Sequence, residues 1–509
     1  LACRNEHGRA LLREIRVTGI DDLWTVLEQR LSAGPSDPLI VSVAGELTRR
    51  RALQLVETRS AALAASGVRQ GTRVVLPAGV GPEAFWLDLL ALWRLGAVGV
   101  PLDLGAGDAE IRSWLEIIGG DAMCIGAPER LARYDLPEIP SFTSRIENAT
   151  AALPPASVDA NAAAVILFTS GTTGTRKGVE LSRRVVLGNA RATLSRLDIR
   201  TTDRLLIAVP FTFVSALSHF LVGLLGGAAL IPEERRMLAA DLVEAAQRGG
   251  ATCFGGGPLQ VKWLAEAAST VDLALRWIMS SGDRLPASVI ARVKAAMPQT
   301  RIYVVYGLTE LGGRFCILPP EDCSPHEEVV GRPIPGLAAT VRRSDGSVAP
   351  QGEEGEVYAS GDWLMTGYLG RADVTAERLT ERGFRTGDLG WLDARGHLRL
   401  SGRADDVFKV GGRKVSAIEV QNALEALNIF DDVVVVPVEH AGVSLMPYAF
   451  YVAPAPLDTG MILQRLRPVL PPRALPAQFI RVDHIPRTGS GKIERDKLRR
   501  SIRPAEVAR

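Results

Sequence analysis

Short runs of apolar, β-prone residues recur along the first three hundred positions, each too brief for a helix and without polar alternation. They are 73–77 (RVVLP), 164–168 (AVILF), 205–209 (LLIAV), 277–280 (WIMS) and 302–305 (IYVV). A strand that is apolar at every position has no face to offer solvent, so it has to be covered on both sides. Helical stretches such as 239–247 and 287–296 fall between several of the runs, and 84–95 (AFWLDLLALWRL) is apolar around most of its circumference. Strands of this kind alternating with helices predict an α/β fold of βαβ units. Around 340–402 the pattern changes to short strands joined by Gly and Asp turns, which predicts a small β-rich, barrel-like subdomain. From about 405 a compact α+β unit follows, with strand-like DDVVVVPV and AFYVAP. A chain of 509 residues is too long for one core. The expected division is a large N-terminal domain over 1–403 and a smaller C-terminal domain over 404–509.

Charge excludes several function classes. There are 59 basic against 57 acidic residues, a formal net charge of +2. That balance gives no electrostatic reason to bind nucleic acid or an anionic membrane. The five cysteines (Cys3, Cys124, Cys253, Cys316 and Cys323) form no CxxC pair, so metal or disulfide frameworks are not expected and a reducing cytoplasm fits. The first residues mix acids and bases without an apolar segment, which argues against a signal peptide. Residues 205–232 contain no Asp, Glu, Lys or Arg, long enough to cross a bilayer. Pro210, His219 and the Gly226-Gly227 pair interrupt the run. The expectation is a buried strand and helix beside an apolar pocket, with no membrane span.

Directly after the run AAAVIL, residues 168–178 read Phe-Thr-Ser-Gly-Thr-Thr-Gly-Thr-Arg-Lys-Gly. The glycines, Gly171 and Gly174 among them, let the backbone turn tightly with its N–H groups inward. Thr169, Ser170, Thr172 and Thr173 add hydroxyl donors, and Lys177 adds a positive charge. Such a loop suits a polyphosphate, whose oxygens are all acceptors. The spacing is not that of a Walker A loop, because the position five after Gly171 is Arg176. TSGTTGTRKG resembles the signature loop of the adenylate-forming superfamily, which includes acyl-CoA synthetases, peptide-synthetase adenylation domains and luciferases.

Further motifs of that superfamily occur in its order along the chain. Tyr306-Gly307-Leu308-Thr309-Glu310 follows the strand IYVV. The resemblance implies that Tyr306 stacks on adenine beside Gly307, Thr309 bonds the α-phosphate, and Glu310 holds Mg²⁺. Ser281-Gly282-Asp283 stands where the family has a Gly-Gly turn against the adenine, so Gly282 is kept and Asp283 departs from the pattern. Phe384-Arg385-Thr386-Gly387-Asp388 resembles the ribose-binding motif, with Asp388 on the hydroxyls. Gly402-Arg403-Ala404-Asp405 resembles the hinge, with Arg403 near the ribose and Asp405 as pivot. Gly411-Gly412 would lie along a thiol tunnel. Pro486-Arg487-Thr488-Gly489-Ser490-Gly491-Lys492 matches the C-terminal motif and implies that Lys492 is the catalytic lysine of a mobile C-terminal domain.

The implied activity is ATP-dependent activation of a carboxylic acid as its acyl-AMP, followed by transfer to CoA. An alternative acceptor is the phosphopantetheine of a separate acyl carrier protein, and a catalytically inactive nucleotide-binding relative is the reading from another class. Amino-acid-activating relatives place an Asp near 212 or 213, whereas this chain has Thr212 and Phe213. An ammonium buried there without a partner is costly. The expected pocket is apolar, shaped by Phe211, Phe213, Val214, Phe254, Gly255, Gly256 and Leu311, and suited to a fatty, alicyclic or aryl acid. His219, alone in an apolar run, is expected to be a core residue.

Overall fold

The structure is a computed structural model. It describes residues 22–79, 81–119, 121–126, 131, 134, 136–139, 153–169, 177–233, 238–324, 329–404, 407–410, 413–440, 444–487 and 493–502. The chain clusters into two compact units, one of Leu1–Ala338 with Ala359–Phe384, the other of Ala339–Tyr358 with Arg385–Arg509.

In the first unit the described residues build two large sheets. One has nine strands in the order Arg332–Pro333, Cys316–Leu318, Arg301–Tyr306, Trp277–Ser281, Cys253–Gly256, Arg204–Ile207, Ala229–Pro232, Pro38–Ser42 and Gly45–Thr48. From Arg301–Tyr306 through Pro38–Ser42 every neighbouring pair is parallel. The other sheet has seven strands, ordered Gly367–Tyr368, Lys177–Ser182, Ala163–Thr169, Val98–Leu102, Arg73–Pro77, Met123–Ile125 and Glu138–Ile139. The apolar runs of the sequence are the central strands, and the helix Pro82–Arg94 is buried along most of its length. The uncharged stretch forms the end of one strand, the helix Val214–Gly226 and the strand Ala229–Pro232. At 13 residues that helix is about 20 Å long, short of a ~30 Å hydrocarbon core. Among the described residues no helix is long and apolar enough to cross a membrane.

The parallel strands are anchored from below by one polar network. Arg276 forks onto Asp203 through Nε–Oδ1 at 2.9 Å and Nη2–Oδ2 at 2.6 Å, and also reaches Asp198 Oδ2 at 3.1 Å. The Thr252 hydroxyl and the Arg200 N–H donate to the same Asp203 carboxylate. Burial pushes the Asp203 carboxyl up, but these donors outweigh it and hold the group below its ordinary value. The folded state therefore gains from ionised Asp203 in full above about pH 4, and loses that gain as pH falls through the depressed folded value. Asp203→Asn should cost about 3 kcal/mol, since it strands Arg276 without its buried partner. In thermal melts the gap between wild type and variant should be wide at pH 7 and narrow as the pH approaches 3. A gap that does not change with pH would show that the charge is not the source.

The second unit carries most of a smaller sheet, in which Leu337–Arg342, Gly355–Gly361 and Gly383–Leu392 are neighbours and Leu398–Arg403 pairs with the last. It also holds an α+β core. There the helix Ala417–Glu425 packs through Val420 and Leu424 among Val433, Val435, Ala449 and Ile462. Of the cysteines, Cys124, Cys253, Cys316 and Cys323 are free and buried, and Cys3 lies outside the described residues.

Candidate active site

Parallel strands in register end at a common edge, and the turns that follow them meet there. Gly256, Ser280 and Val304 are register partners on three adjacent strands. The ends of these strands and the turns that leave them carry Gly256, Gly282 with Asp283, and Tyr306 through Leu311. The next strand, Arg204–Ile207, leads into Phe211, Phe213 and Val214. Residues separated by up to a hundred positions in sequence are thus gathered on one rim. Gly282 adopts φ +96° and Asp283 is exposed, its carboxylate accepting from the Arg284 N–H at 2.8 Å.

The stretch 306–316 is folded back on itself. Tyr306 pairs with Cys316, the Phe315 N–H donates to the Tyr306 carbonyl, and Thr309–Leu311 forms a single 3-10 turn. Gly312 and Gly313 both have positive φ, a conformation that glycine tolerates and side chains resist. Gly307 has a different constraint, because a Cβ there would lie 1.9 Å from the Gly313 carbonyl oxygen. Asn189, buried on the helix Arg183–Leu194, donates to the Leu311 carbonyl at 2.7 Å and the Arg314 carbonyl at 2.8 Å. Tyr306, Thr309 and Glu310 are left half-buried, reachable from solvent and held by a rigid turn.

The two sheets meet at Glu310. Its carbonyl accepts from the Met365 N–H, and the Tyr368 hydroxyl donates to its carboxylate at 2.8 Å. Tyr368 lies on the edge strand that pairs with Lys177–Ser182, and the Lys177 ammonium stands 5.0 Å from the centre of its ring. Burial and the neighbouring Glu310 raise the Tyr368 phenol, so it stays a donor. Burial, with help from Arg378, lowers the Lys177 pKa, while Glu310 opposes the shift. The lysine of the hydroxyl-rich segment and the glutamate of the tyrosine motif, 133 positions apart by their numbers, thus share one tyrosine. Tyr368 is the residue the motif reading missed. Its sequence sign is an aromatic hydroxyl bracketed by Gly367 and Gly370.

Thr169 and Lys177 face each other across paired antiparallel strands. Ser170, Gly171, Thr172, Thr173 and Gly174 lie outside the described residues, as do Asp405, Gly411, Gly412 and Lys492. In the second unit Asp388 and Arg403 are register partners, with Arg403 Nη1 3.5 Å from Asp388 Oδ1. The Thr386 hydroxyl donates to the Val357 carbonyl and accepts from the Asp388 N–H, which fixes the turn. Asp388 is largely buried beside this guanidinium, an arrangement suited to accepting hydrogen bonds from a diol.

Among the described residues no group of three or more metal-ligating side chains occurs. Mg²⁺ does not need one, because it keeps several waters and takes one or two carboxylates beside substrate phosphates. Glu310, with one oxygen oriented by Tyr368, fits that role.

The expected acid-pocket residues divide. Phe213 and Val214 are half-buried at the start of the helix Val214–Gly226. Phe211 is buried against Phe85 and Trp86, and Phe254 is core. The space beside Gly255 is filled by the His219 ring, where a Cβ would come 2.2 Å from Nε2, and that beside Gly256 by Phe254. Leu311 is buried under the turn. His219 is core, as its lone position suggested, but it is packed against the buried Arg314. The wall is therefore not purely apolar.

The family model described as AMP-binding enzyme matches residues 27–369. Phenyloxazoline synthase MbtB of Mycobacterium tuberculosis (strain ATCC 25618 / H37Rv) is 28% identical over 93% of the chain, which spans 34% of that protein. Tyrocidine synthase 3 of Brevibacillus parabrevis is 28% identical over 94% of the chain, which spans 8% of it. The chain thus covers about a third or less of the length of these curated relatives. Among solved structures, the o-succinylbenzoate CoA synthetase MenE of Bacillus subtilis, in complex with its acyl-adenylate intermediate, superimposes with a TM-score of 0.84 at 24% identity. That match covers 95% of this chain and 99% of the other, and establishes likeness of fold. With a family model matched over most of its length and its two sheets meeting at Lys177, Tyr368 and Glu310, the chain belongs to the AMP-binding enzymes of the adenylate-forming superfamily.

Proposed function

We propose that this chain activates a carboxylic acid with ATP and passes the acyl group to a thiol. In the first step a carboxylate oxygen attacks the α-phosphorus, the anhydride C–O–P bond forms, and the bond to the β-phosphate breaks to release pyrophosphate. In the second step a thiolate attacks the acyl carbonyl and AMP leaves. The observation that carries the reading is the meeting of Lys177, Tyr368 and Glu310 beside the turn that bears Tyr306 and Thr309. A cation, a fixed hydroxyl and a carboxylate converge where charge on a polyphosphate has to be balanced. Mg²⁺, when bound, would neutralise phosphate charge at Glu310. Thr309 and Lys492 are assigned to orienting the reacting groups, Tyr306 with Gly307 and Gly282 to the adenine, and Asp388 with Arg403 to the ribose.

CoA is the acceptor we favour, with Gly411 and Gly412 along its tunnel and Asp405 as the pivot between the functional domains 1–403 and 404–509. ATP and CoA as substrates favour the cytoplasm. A second acceptor, phosphopantetheine on a separate carrier protein, is supported by one comparison: the curated relatives include synthases such as phenyloxazoline synthase MbtB and tyrocidine synthase 3. Acid-dependent exchange of labelled pyrophosphate into ATP tests the first step, and product analysis with CoA against a phosphopantetheinylated carrier separates the acceptors. Exchange with some acid and a thioester of CoA are expected. No exchange across a broad acid panel would remove the reading.

A further inference from the structure

Arg314 is fully buried, four residues beyond Glu310, and among the described residues no carboxylate faces it. One guanidinium nitrogen, Nη2, reaches a His219 ring nitrogen at 3.1 Å and the Ser215 carbonyl at 3.4 Å. Its Nε has no hydrogen-bond partner among the described residues. His219 cannot balance the charge. Burial and Arg314 hold the imidazole neutral. Burial alone pulls Arg314 down to about 10, so the side chain remains a cation at neutral pH. A buried charge without a counter-ion costs several kcal/mol, which folds ordinarily avoid by pairing it.

Two further groups in the same place lack acceptors or caps. The Ser218 hydroxyl is buried and unpaired among the described residues, and Ser218 lies against Gly313, where a Cβ would come 3.5 Å from its own. The helix Val214–Gly226, whose first turns supply Ser215, Ser218 and His219, starts at Phe213 without a side-chain cap and so presents the positive end of its dipole. A guanidinium, a free hydroxyl and a helix N-terminus together favour an anion.

We propose that Arg314 is the specificity residue of the acid site, and that the substrate is a dicarboxylic acid. One carboxylate reacts with ATP, and the other pairs with the Arg314 guanidinium and the Ser218 hydroxyl. This rests on the adenylation reading above. The second carboxylate is favoured over a phosphate of ATP because Arg314 is enclosed by the segment 213–219, on which the acid is expected. The phosphate-facing charges lie with Lys177 and Glu310. The same cation disfavours α-amino acids, whose ammonium it would repel.

The test uses the whole chain and matched acid pairs, butyrate with succinate, hexanoate with adipate, and benzoate with phthalate and isophthalate. Wild type should show, in pyrophosphate exchange, a kcat/KM at least about thirtyfold higher for one dicarboxylate than for its monocarboxylate partner, the low end for a buried charge pair. Arg314→Met should erase or invert that ratio, Arg314→Lys should keep part of it, and Ser218→Ala should reduce it less. If Arg314→Met fails to fold, the wild-type ratio and the lysine variant decide. Equal or better use of monocarboxylates by wild type overturns the proposal, as does a raised KM for ATP in the variant with the acid ratio unchanged. Equilibrium dialysis of the labelled acids keeps the two claims apart. Exchange without dicarboxylate preference sinks this inference alone, whereas Arg314-dependent retention of a dicarboxylate without exchange sinks the adenylation reading alone.

Discussion

Replacing Lys492 with alanine should lower acid-dependent pyrophosphate exchange by on the order of 10²–10³-fold, the loss typical of removing one group aimed at developing charge. Thioester formation from preformed acyl adenylate should continue at close to the parent rate. Attack of one anion on another needs a cation that touches both, and an ammonium near the end of the chain can bridge the substrate carboxylate and the α-phosphate. Once the anhydride exists that task is finished, and the thiol step needs no such bridge. Exchange and single-turnover thioester formation, measured on the same preparation, give the two rates separately. Equal loss in both halves would mean that Lys492 is structural or acts in both steps, and would contradict its assignment to adenylation alone.

The sequence was informative wherever a physical constraint is local. Runs such as AVILF and IYVV have no polar face, so burial on both sides followed, and both are central strands of parallel or mixed sheets. The helix over 84–95 and the interior placement of 205–232 were legible for the same reason. Tyr306, Thr309 and Glu310 could be named because their stretch resembles a superfamily motif that is contiguous in sequence. Tyr368 could not. Its importance comes from an edge strand that brings it against Lys177–Ser182, a pairing across nearly two hundred positions that no local pattern encodes.

The pocket was the least legible part. Phe211 and Phe254 are apolar and near the motifs, so they read as pocket walls, yet both pack into the interior because neighbours from other strands and helices reach them first. Gly255 and Gly256 read as parts of the same wall. In the fold, Gly255 is small because His219 occupies the volume that a side chain would need. Nothing in the local pattern singles out Arg314, an arginine that follows two glycines. Its burial follows from the positive φ of Gly312 and Gly313 and from Asn189 donating to the Leu311 and Arg314 carbonyls, which are tertiary facts.

Glu310→Gln should lower exchange by roughly 10²-fold at the magnesium concentration that saturates the parent. The substitution keeps shape and removes one charge. A glutamine carbonyl still accepts from the Tyr368 hydroxyl, which now reaches the carboxylate at 2.8 Å, so the turn and the ring beneath Lys177 are retained. What disappears is the anion that would hold Mg²⁺ beside the phosphates. Raising magnesium should therefore recover part of the rate, and AMP binding, measured by calorimetry without metal, should change little. Tyr368→Phe makes the contrast. It preserves the aromatic face for the Lys177 ammonium and deletes only the donor, at a cost of about 1 kcal/mol or roughly fivefold in rate. Parental exchange by the glutamine variant at parental magnesium would remove Glu310 from the metal's ligands. A larger loss from the phenylalanine than from the glutamine would instead place Tyr368, rather than the carboxylate, at the centre of phosphate recognition.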